Sequence, residues 1–304
     1  MSLAFAHSTA DHVHQVGGIS LLTDWSADPI FLIPLVGALL YFRGLRRYRS
    51  LGGRRFSRWR QGSLLLGLAV TALALLSPID RLADWSFTWH MLQHELLMAL
   101  AVPALLLGQP FLPVVWGLPR LVRRRLFIPL ARTPLVRWVL RVATRPVVGL
   151  AAYTVAVWAW HSPGLYDAAL ASDAVHYLEH LSFVLGAALF WWNVITPYPF
   201  PARLNVFLRV LLVMVSEIPN VALSAMITFS DTVLYSYGRL EGFWGVGMLE
   251  EQQLGGVLMW VAVGATVRLC AAMAILIAYG RAEEAKEPPK RLYLTGGPAP
   301  GGAS

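Results

Sequence analysis

Seven long apolar stretches punctuate the chain, and they constrain its fold more than any other feature. A helix that crosses a bilayer needs roughly 20 mainly apolar residues. Residues 29–42, 62–77, 89–116, 146–160, 175–195, 204–229 and 254–279 meet or approach that length. The first is short and draws on Trp25 and Ala27 at its outer end; the third is interrupted by Pro103, Gly108 and Pro110. In hydrocarbon every backbone polar group must be satisfied within the protein, which leaves helices or a closed barrel, and stretches of this length are helical ones. The expected fold is therefore all-α: a polytopic membrane protein whose bundle of seven transmembrane helices occupies 25–280. An extracytoplasmic segment is expected over 1–24 and a disordered tail over 281–304. Composition agrees. Apolar residues make up 57% and charged residues 14% of the 304, whereas soluble chains carry about a quarter charged. A soluble enzyme and a disordered protein are both excluded. One cysteine excludes a disulfide framework, a thiolate zinc cluster or an iron–sulfur cluster built by this chain alone. Residues 1–18 lack the basic start and apolar core of a cleavable leader.

Orientation follows from the bases near the ends of the spans, because inner loops retain arginine and lysine. With the N-terminus outside, 22 of the 25 bases fall on the inner side and two, Arg81 and Arg239, on the outer side; Arg268 lies within the last span. The expected topology is N-terminus outside and C-terminus cytoplasmic. The basic segments need no role beyond that. Residues 120–145 read as an amphipathic helix on the anionic inner leaflet, with membrane lipid as its partner; the arginine pattern does not call for nucleic acid.

Once the sides are assigned, all eight histidines fall on the outer side or in the outer half of a helix. His7, His12 and His14 lie in the N-terminal segment, His90 and His94 open the third span, His161 closes the fourth, and His176 and His180 open the fifth. The pairs His90/His94 and His176/His180 share the i, i+4 spacing, which stacks two imidazoles on one helix face a turn apart. Each pair can offer two nitrogens to one metal ion without rearranging the backbone. A single histidine at a helix end is usually an interfacial or satisfied polar group. Two such pairs at one depth, with His161 as a fifth donor, read as a metal site, since ionisable groups within a membrane are costly. Imidazole suits copper, zinc, iron and nickel, and copper binds nitrogen sites most tightly. Met91 and Met98 are soft thioethers near the same face and favour Cu(I). Glu179 or Asp167 is placed to fix ring tautomers from behind.

The remaining polar residues read more plainly. Glu217 and Arg268 lie inside spans six and seven and are expected to pair with each other; Glu95 follows His94 and points to another helix. Trp85, Trp89, Trp158, Trp160, Trp191, Trp192 and Trp244 fit interfacial belts, and Cys270 an inert packing position.

Several blocks resemble one family. They are His90-Met-Leu-Gln-His94-Glu-Leu-Leu-Met with Pro103 and Leu-Leu-Leu-Gly-Gln-Pro110; Trp160-His161-Ser-Pro163-Gly-Leu-Tyr166-Asp167; His176-Tyr-Leu-Glu179-His180-Leu-Ser-Phe183 with Phe190-Trp191-Trp192; and Gln252-Gln253-Leu-Gly-Gly-Val-Leu-Met259-Trp260. In that order they are similar to the CtaG family of bacterial membrane proteins associated with assembly of caa3-type cytochrome c oxidase. This family is distinct from the single-span copper chaperone that shares the name. The resemblance runs from about 25 to 279. It implies a seven-helix protein of the bacterial plasma membrane that acts in copper delivery to, or maturation of, the oxidase. It also implies that His90, His94, His161, His176 and His180 are the functional histidines.

The expected function is thus a non-enzymatic assembly factor that holds a copper ion on the periplasmic side and passes it to cytochrome c oxidase subunits, or exchanges it with copper chaperones. Three rivals remain open at this point. Opposed histidines on two helices can ligate a haem. Histidine boxes also build membrane di-iron oxygenases, although those boxes face the cytoplasm and use more ligands. Met214, Glu217, Met226 and Met259 could line the path of a copper transporter.

Overall fold

Prolines and small polar residues set where the helices begin. A proline fits the first helical turn, where its missing N–H would be unpaired in any case, and Ser, Thr, Asp or Asn before it can cap the open donors. Asp28 precedes a 3₁₀ turn at Pro29–Phe31 and accepts from Ile30 N at 2.7 Å. Ser77, Thr133, Arg145 and Ser162 precede helices that start on Pro78, Pro134, Pro146 and Pro163. Ser86 and Asn205 cap with their side chains, accepting from Trp89 N at 3.3 Å and Leu208 N at 2.9 Å.

The computed structural model describes residues 25, 26, 28–50, 57–236 and 247–284. His7, His12, His14, Arg239, Trp244 and the tail beyond Glu284 lie outside them. The helices are α1 (Leu32–Ser50), α2 (Arg58–Leu76), α3 (Pro78–Ala83), α4 (Phe87–Leu107), α5 (Phe111–Gly117), α6 (Pro134–Ala143), α7 (Pro146–Trp160), α8 (Pro163–Ala171), α9 (Asp173–Ile195), α10 (Val206–Thr228) and α11 (248–284). No strand occurs among the described residues. Six helices are long and apolar enough to cross a bilayer. A seventh crossing requires the pair α6 and α7, which bend 71° from each other. Helix α7 alone has 15 residues, about 22 Å against a hydrocarbon core of roughly 30 Å.

Three expectations are corrected here. The first helix continues to Ser50, so Arg43, Arg46 and Arg47 lie in the last turns of α1 and not in a loop. The third span stops at Leu107. Gln109 takes a left-handed φ of 56°, and Pro110 begins a return helix, α5, that packs back against α1. That contact is backbone to backbone: a Cβ on Gly44 would collide with the carbonyl of Pro113, and one on Gly117 with that of Leu40. Residues 120–145 are not one amphipathic helix. Pro129 and Pro134 divide them into short helical pieces ending in α6, whose Leu135, Trp138, Val139 and Leu140 are exposed between arginines.

The ring contacts of His90, His94, His161, His176 and His180 gather them at one end of the bundle. Arg43, Arg46, Arg47, Arg120, Arg123, Arg141 and Arg203 gather at the other, where Arg203 Nη1 donates to Arg141 O at 3.1 Å. Helix α4 is the axis, packing against α2, α9 and α11; 67% of its apolar stretch is buried, against 22% for α1. Conversely, large apolar side chains such as Phe207 (66% exposed) and Ile218 (69%) point outward, as they must where the solvent is hydrocarbon.

Within α4 the turn at Leu96–Ala101 widens to π geometry. Pro103 follows, and its missing N–H and bulky ring disturb the ladder just before it; π turns of this kind often accompany functional sites. The widening falls one residue after the His90–Glu95 face.

Candidate metal centre

Helices α4 and α9 each carry one i, i+4 histidine pair, and they pack with those pairs facing. The ring centroids of His90 and His94 lie 4.3 Å apart, and those of His176 and His180 4.2 Å apart. Across the helix boundary His90 stands 5.3 Å from His176, and His94 5.4 Å from His180. Glu179 projects into the same space from between His176 and His180. Its carboxylate oxygens lie 3.8 Å from His90 Nε2 and 3.8 Å from His94 Nε2. One ligand atom each from His90, His94, His176 and Glu179 falls within 4.8 Å of all the others.

All but the half-buried His176 are fully enclosed, and most of their polar atoms lack partners. His90 and His94 are 1% exposed, and Glu179 and His180 are 0%. His90 Nε2, both ring nitrogens of His94, His176 Nε2, His180 Nε2 and both oxygens of Glu179 have no hydrogen-bond partner. Buried polar atoms are nearly always paired, because each unpaired one costs about 1–3 kcal/mol. Here one ligand atom from each of His90, His94, His176 and Glu179 lies within 4.8 Å of the others. A cation shared by them removes that cost. Nitrogen and carboxylate donors sit about 2.0–2.2 Å from a first-row divalent ion, so two ligands of one ion stand at most about 4.3 Å apart. The 3.8 Å pairs already meet that limit; the widest separation closes by a few tenths of an ångström.

The surroundings orient the rings. His90 Nδ1 lies 3.3 Å from Ala83 O. A carbonyl only accepts, so the Nδ1 proton is fixed and the Nε2 lone pair turns toward Glu179. His180 Nδ1 lies 3.4 Å from Asp28 Oδ2. Burial pushes the Asp28 carboxyl up from the usual carboxylate range, against the pull of its Ile30 N–H donor. Gln93, also fully buried on α4, donates to Ala74 O at 2.9 Å and to Asp80 Oδ1 at 2.7 Å, tying the histidine face of α4 to α2 and α3. Asp80 is likewise raised by burial.

The segment 230–236 closes over this end. Gln252 Oε1 accepts from Leu234 N at 2.7 Å, and its amide donates to Thr232 O at 3.2 Å. Tyr235 stacks on Phe87 at 4.8 Å and donates to His161 O at 2.9 Å.

Not every expected residue joins the cluster. His180 borders it and is held by Asp28. His161 lies aside, with Nε2 3.2 Å from Met91 Sδ. Met98 is buried, and its backbone carbonyl accepts from Trp191 Nε1 at 2.9 Å. Asp167 does not back a histidine: it accepts from Ser236 N at 3.1 Å and Ser236 Oγ at 3.0 Å, so it anchors the covering segment instead. Glu179 is in the cluster and not behind it. Glu217 pairs with Arg268 at 2.9 Å, as expected, which assigns it to a separate buried group in which Tyr153 also bonds Arg268. Of the methionines named for a transporter path, Met226 is 62% exposed and Met259 3%. Trp160 and Trp191 are buried braces and not belt residues, with Trp160 Nε1 donating to Ser182 Oγ at 2.6 Å. Cys270 is exposed on its helix, so it is not a packing residue. The residues missed from sequence are Asp28, Gln93, Asp80 and Tyr235. Only the polarity of Gln93 on the histidine helix hinted at its role.

Fold and site together define a multi-pass helical membrane protein with a buried histidine–carboxylate cluster of metal-ligating type. The sequence model of one family, described as cytochrome c oxidase caa3 assembly factor (Caa3_CtaG), matches residues 39–281. The chain belongs to that family. No curated protein and no solved structure matches it.

Proposed function

We propose that this chain binds a copper ion through His90, His94, His176 and Glu179, with His180 alongside, and assists its insertion into cytochrome c oxidase as a non-catalytic assembly factor of the bacterial plasma membrane. The observation that carries this reading is the convergence of four ligand atoms from two helices within 4.8 Å, in a space where none of them has a hydrogen-bond partner. Family membership supports the acceptor, and the imidazole-rich donor set supports copper. A cargo ion must also leave. Neutral imidazoles and one carboxylate exchange more readily than a thiolate cage, and Asp28 and Ala83 O hold the rings ready to accept the next ion.

The rival readings fit less well. Ring centroids only 4.2–5.4 Å apart leave no slot for a macrocycle between the helices. A histidine-box di-iron centre uses more ligands than the four that meet here among the described residues.

Elemental analysis of the purified full-length protein tests the proposal, with wild type beside a His90/His94/His176/Glu179 quadruple alanine variant. The expected result is copper in the wild type and none at that site in the variant. In cells the variant, still inserted in the membrane, should leave the oxidase depleted of copper. A fully copper-loaded oxidase in cells carrying only the variant would overturn the assignment.

A further inference from the structure

His161 was grouped with the other four histidines on sequence, yet its ring faces a different partner. Its Nδ1 lies 2.6 Å from Val157 O, so Nδ1 carries the proton and Nε2 carries a lone pair. That lone pair points at Met91 Sδ, 3.2 Å away. A thioether sulfur has no hydrogen to offer. Two electron-pair donors therefore face each other with no proton between them, in residues 4% and 0% exposed. Protonating Nε2 would relieve this poorly, because sulfur is a weak acceptor and no carboxylate pairs with the ring among the described residues. A shared cation relieves it directly.

Two aromatic rings border both the pair and the neighbouring cluster. Tyr166 stands 6.5 Å from His161 and 5.2 Å from His90; Phe183 stands 6.2 Å from His161 and 4.6 Å from His94. The two donor sets also differ in kind. Three imidazoles and a carboxylate suit a divalent ion, whereas one imidazole and one thioether suit a soft monovalent d¹⁰ ion that accepts few ligands. Met91 is unbranched and flexible, so the sulfur can swing to widen the gap for an ion.

We infer that Met91 and His161 form a second metal site, specific for Cu(I), beside the histidine–carboxylate site. This rests on copper being the cargo, and the two sites hold ions of different charge without any electron passing between them. Residue 91 follows His90 directly, so one turn of α4 serves both sites, and Tyr235 covers the second by bonding the His161 carbonyl.

The test uses the purified full-length protein in detergent, with Ag(I) as a redox-silent probe for the new site and Co(II) for the histidine–carboxylate site. X-ray absorption at the silver edge should show one sulfur and one nitrogen neighbour in the wild type. Met91→Leu should remove the sulfur neighbour and weaken Ag(I) binding about tenfold or more, with Co(II) absorption unchanged. Silver bound to nitrogen only in the wild type, or an unchanged Ag(I) affinity in Met91→Leu, would overturn the inference; the wild-type spectrum decides alone if that variant does not fold. Silver on sulfur with no Co(II) bound would support the second site while removing the first.

Discussion

His94 Nε2 and Glu179 Oε1 face each other at 3.8 Å across the boundary between α4 and α9, and neither atom has a hydrogen-bond partner. That separation is too long for a hydrogen bond and short enough for both atoms to touch one ion. Without a shared ion such an arrangement is costly, since a buried carboxylate without a partner destabilises whatever encloses it. Glu179→Gln should accordingly raise the melting temperature of the metal-free protein. It should also abolish the stabilisation that the wild type gains from metal, which amounts to about 2.7 kcal/mol at a hundredfold excess over Kd. Thermal melts in detergent, with and without added Cu(II), check both signs. If metal stabilises wild type and variant equally, Glu179 is not a ligand.

Asp28 illustrates control from outside the ligand set. It reaches His180 from a position 152 residues away in sequence, held by the turn that starts α1. A carboxylate behind a ligating imidazole sets its tautomer and basicity, and its loss typically costs 10–100-fold in metal affinity. Asp28→Asn should lower copper affinity by about that factor at unchanged stoichiometry, read by competition with a chromophoric chelator. An unchanged affinity would place His180 outside the coordinating group.

These two residues also mark how much of the site the sequence could carry. His90, His94, His176 and His180 were legible because helix periodicity is local: i, i+4 spacing stacks side chains in any helix. Glu217 with Arg268 was legible because opposite charges inside a membrane have few other partners. Asp28 was not, since its contact depends on how α1 enters the bundle. Asp167 misled because closeness in sequence to His161 does not bring its side chain toward the ring; α8 turns it to Ser236. The break after Leu107 was visible in Gly108 and Pro110. That the chain then returns along α1 depends on Gly44 and Gly117 meeting backbone to backbone, which no local pattern encodes.

The Glu217–Arg268 pair makes a separate prediction. Arg268 is 2% exposed, and removing one member of a buried ion pair strands the other, at about 3–5 kcal/mol. Arg268→Met should therefore lower stability by roughly that amount, and the double variant Arg268→Met/Glu217→Leu should recover much of it. Thermal unfolding in detergent reads the difference, and copper stoichiometry should be the same in all three proteins. A double variant no more stable than the single one would mean that the guanidinium chiefly serves Tyr153 and Glu95, which also feel its charge.

Delivery to an oxidase requires the histidine end to face the side where the acceptor loads, and the arginine count predicts that this is the outer side. The arrangement of helices makes the prediction sharp, because all five described histidines share one end and the arginine-rich segments the other. Two exposed positions report on the two ends: Ala171 at the end of α8 and Arg132 before α6. In a Cys270→Ala background, Ala171→Cys should react with a membrane-impermeant maleimide in intact cells, and Arg132→Cys only after permeabilisation. The positive-inside bias acts at insertion, since translocating a cluster of arginines is unfavourable, so the labelling should be all or none. The opposite pattern would put the cluster on the cytoplasmic side, where copper could be collected for export but not handed to an acceptor outside.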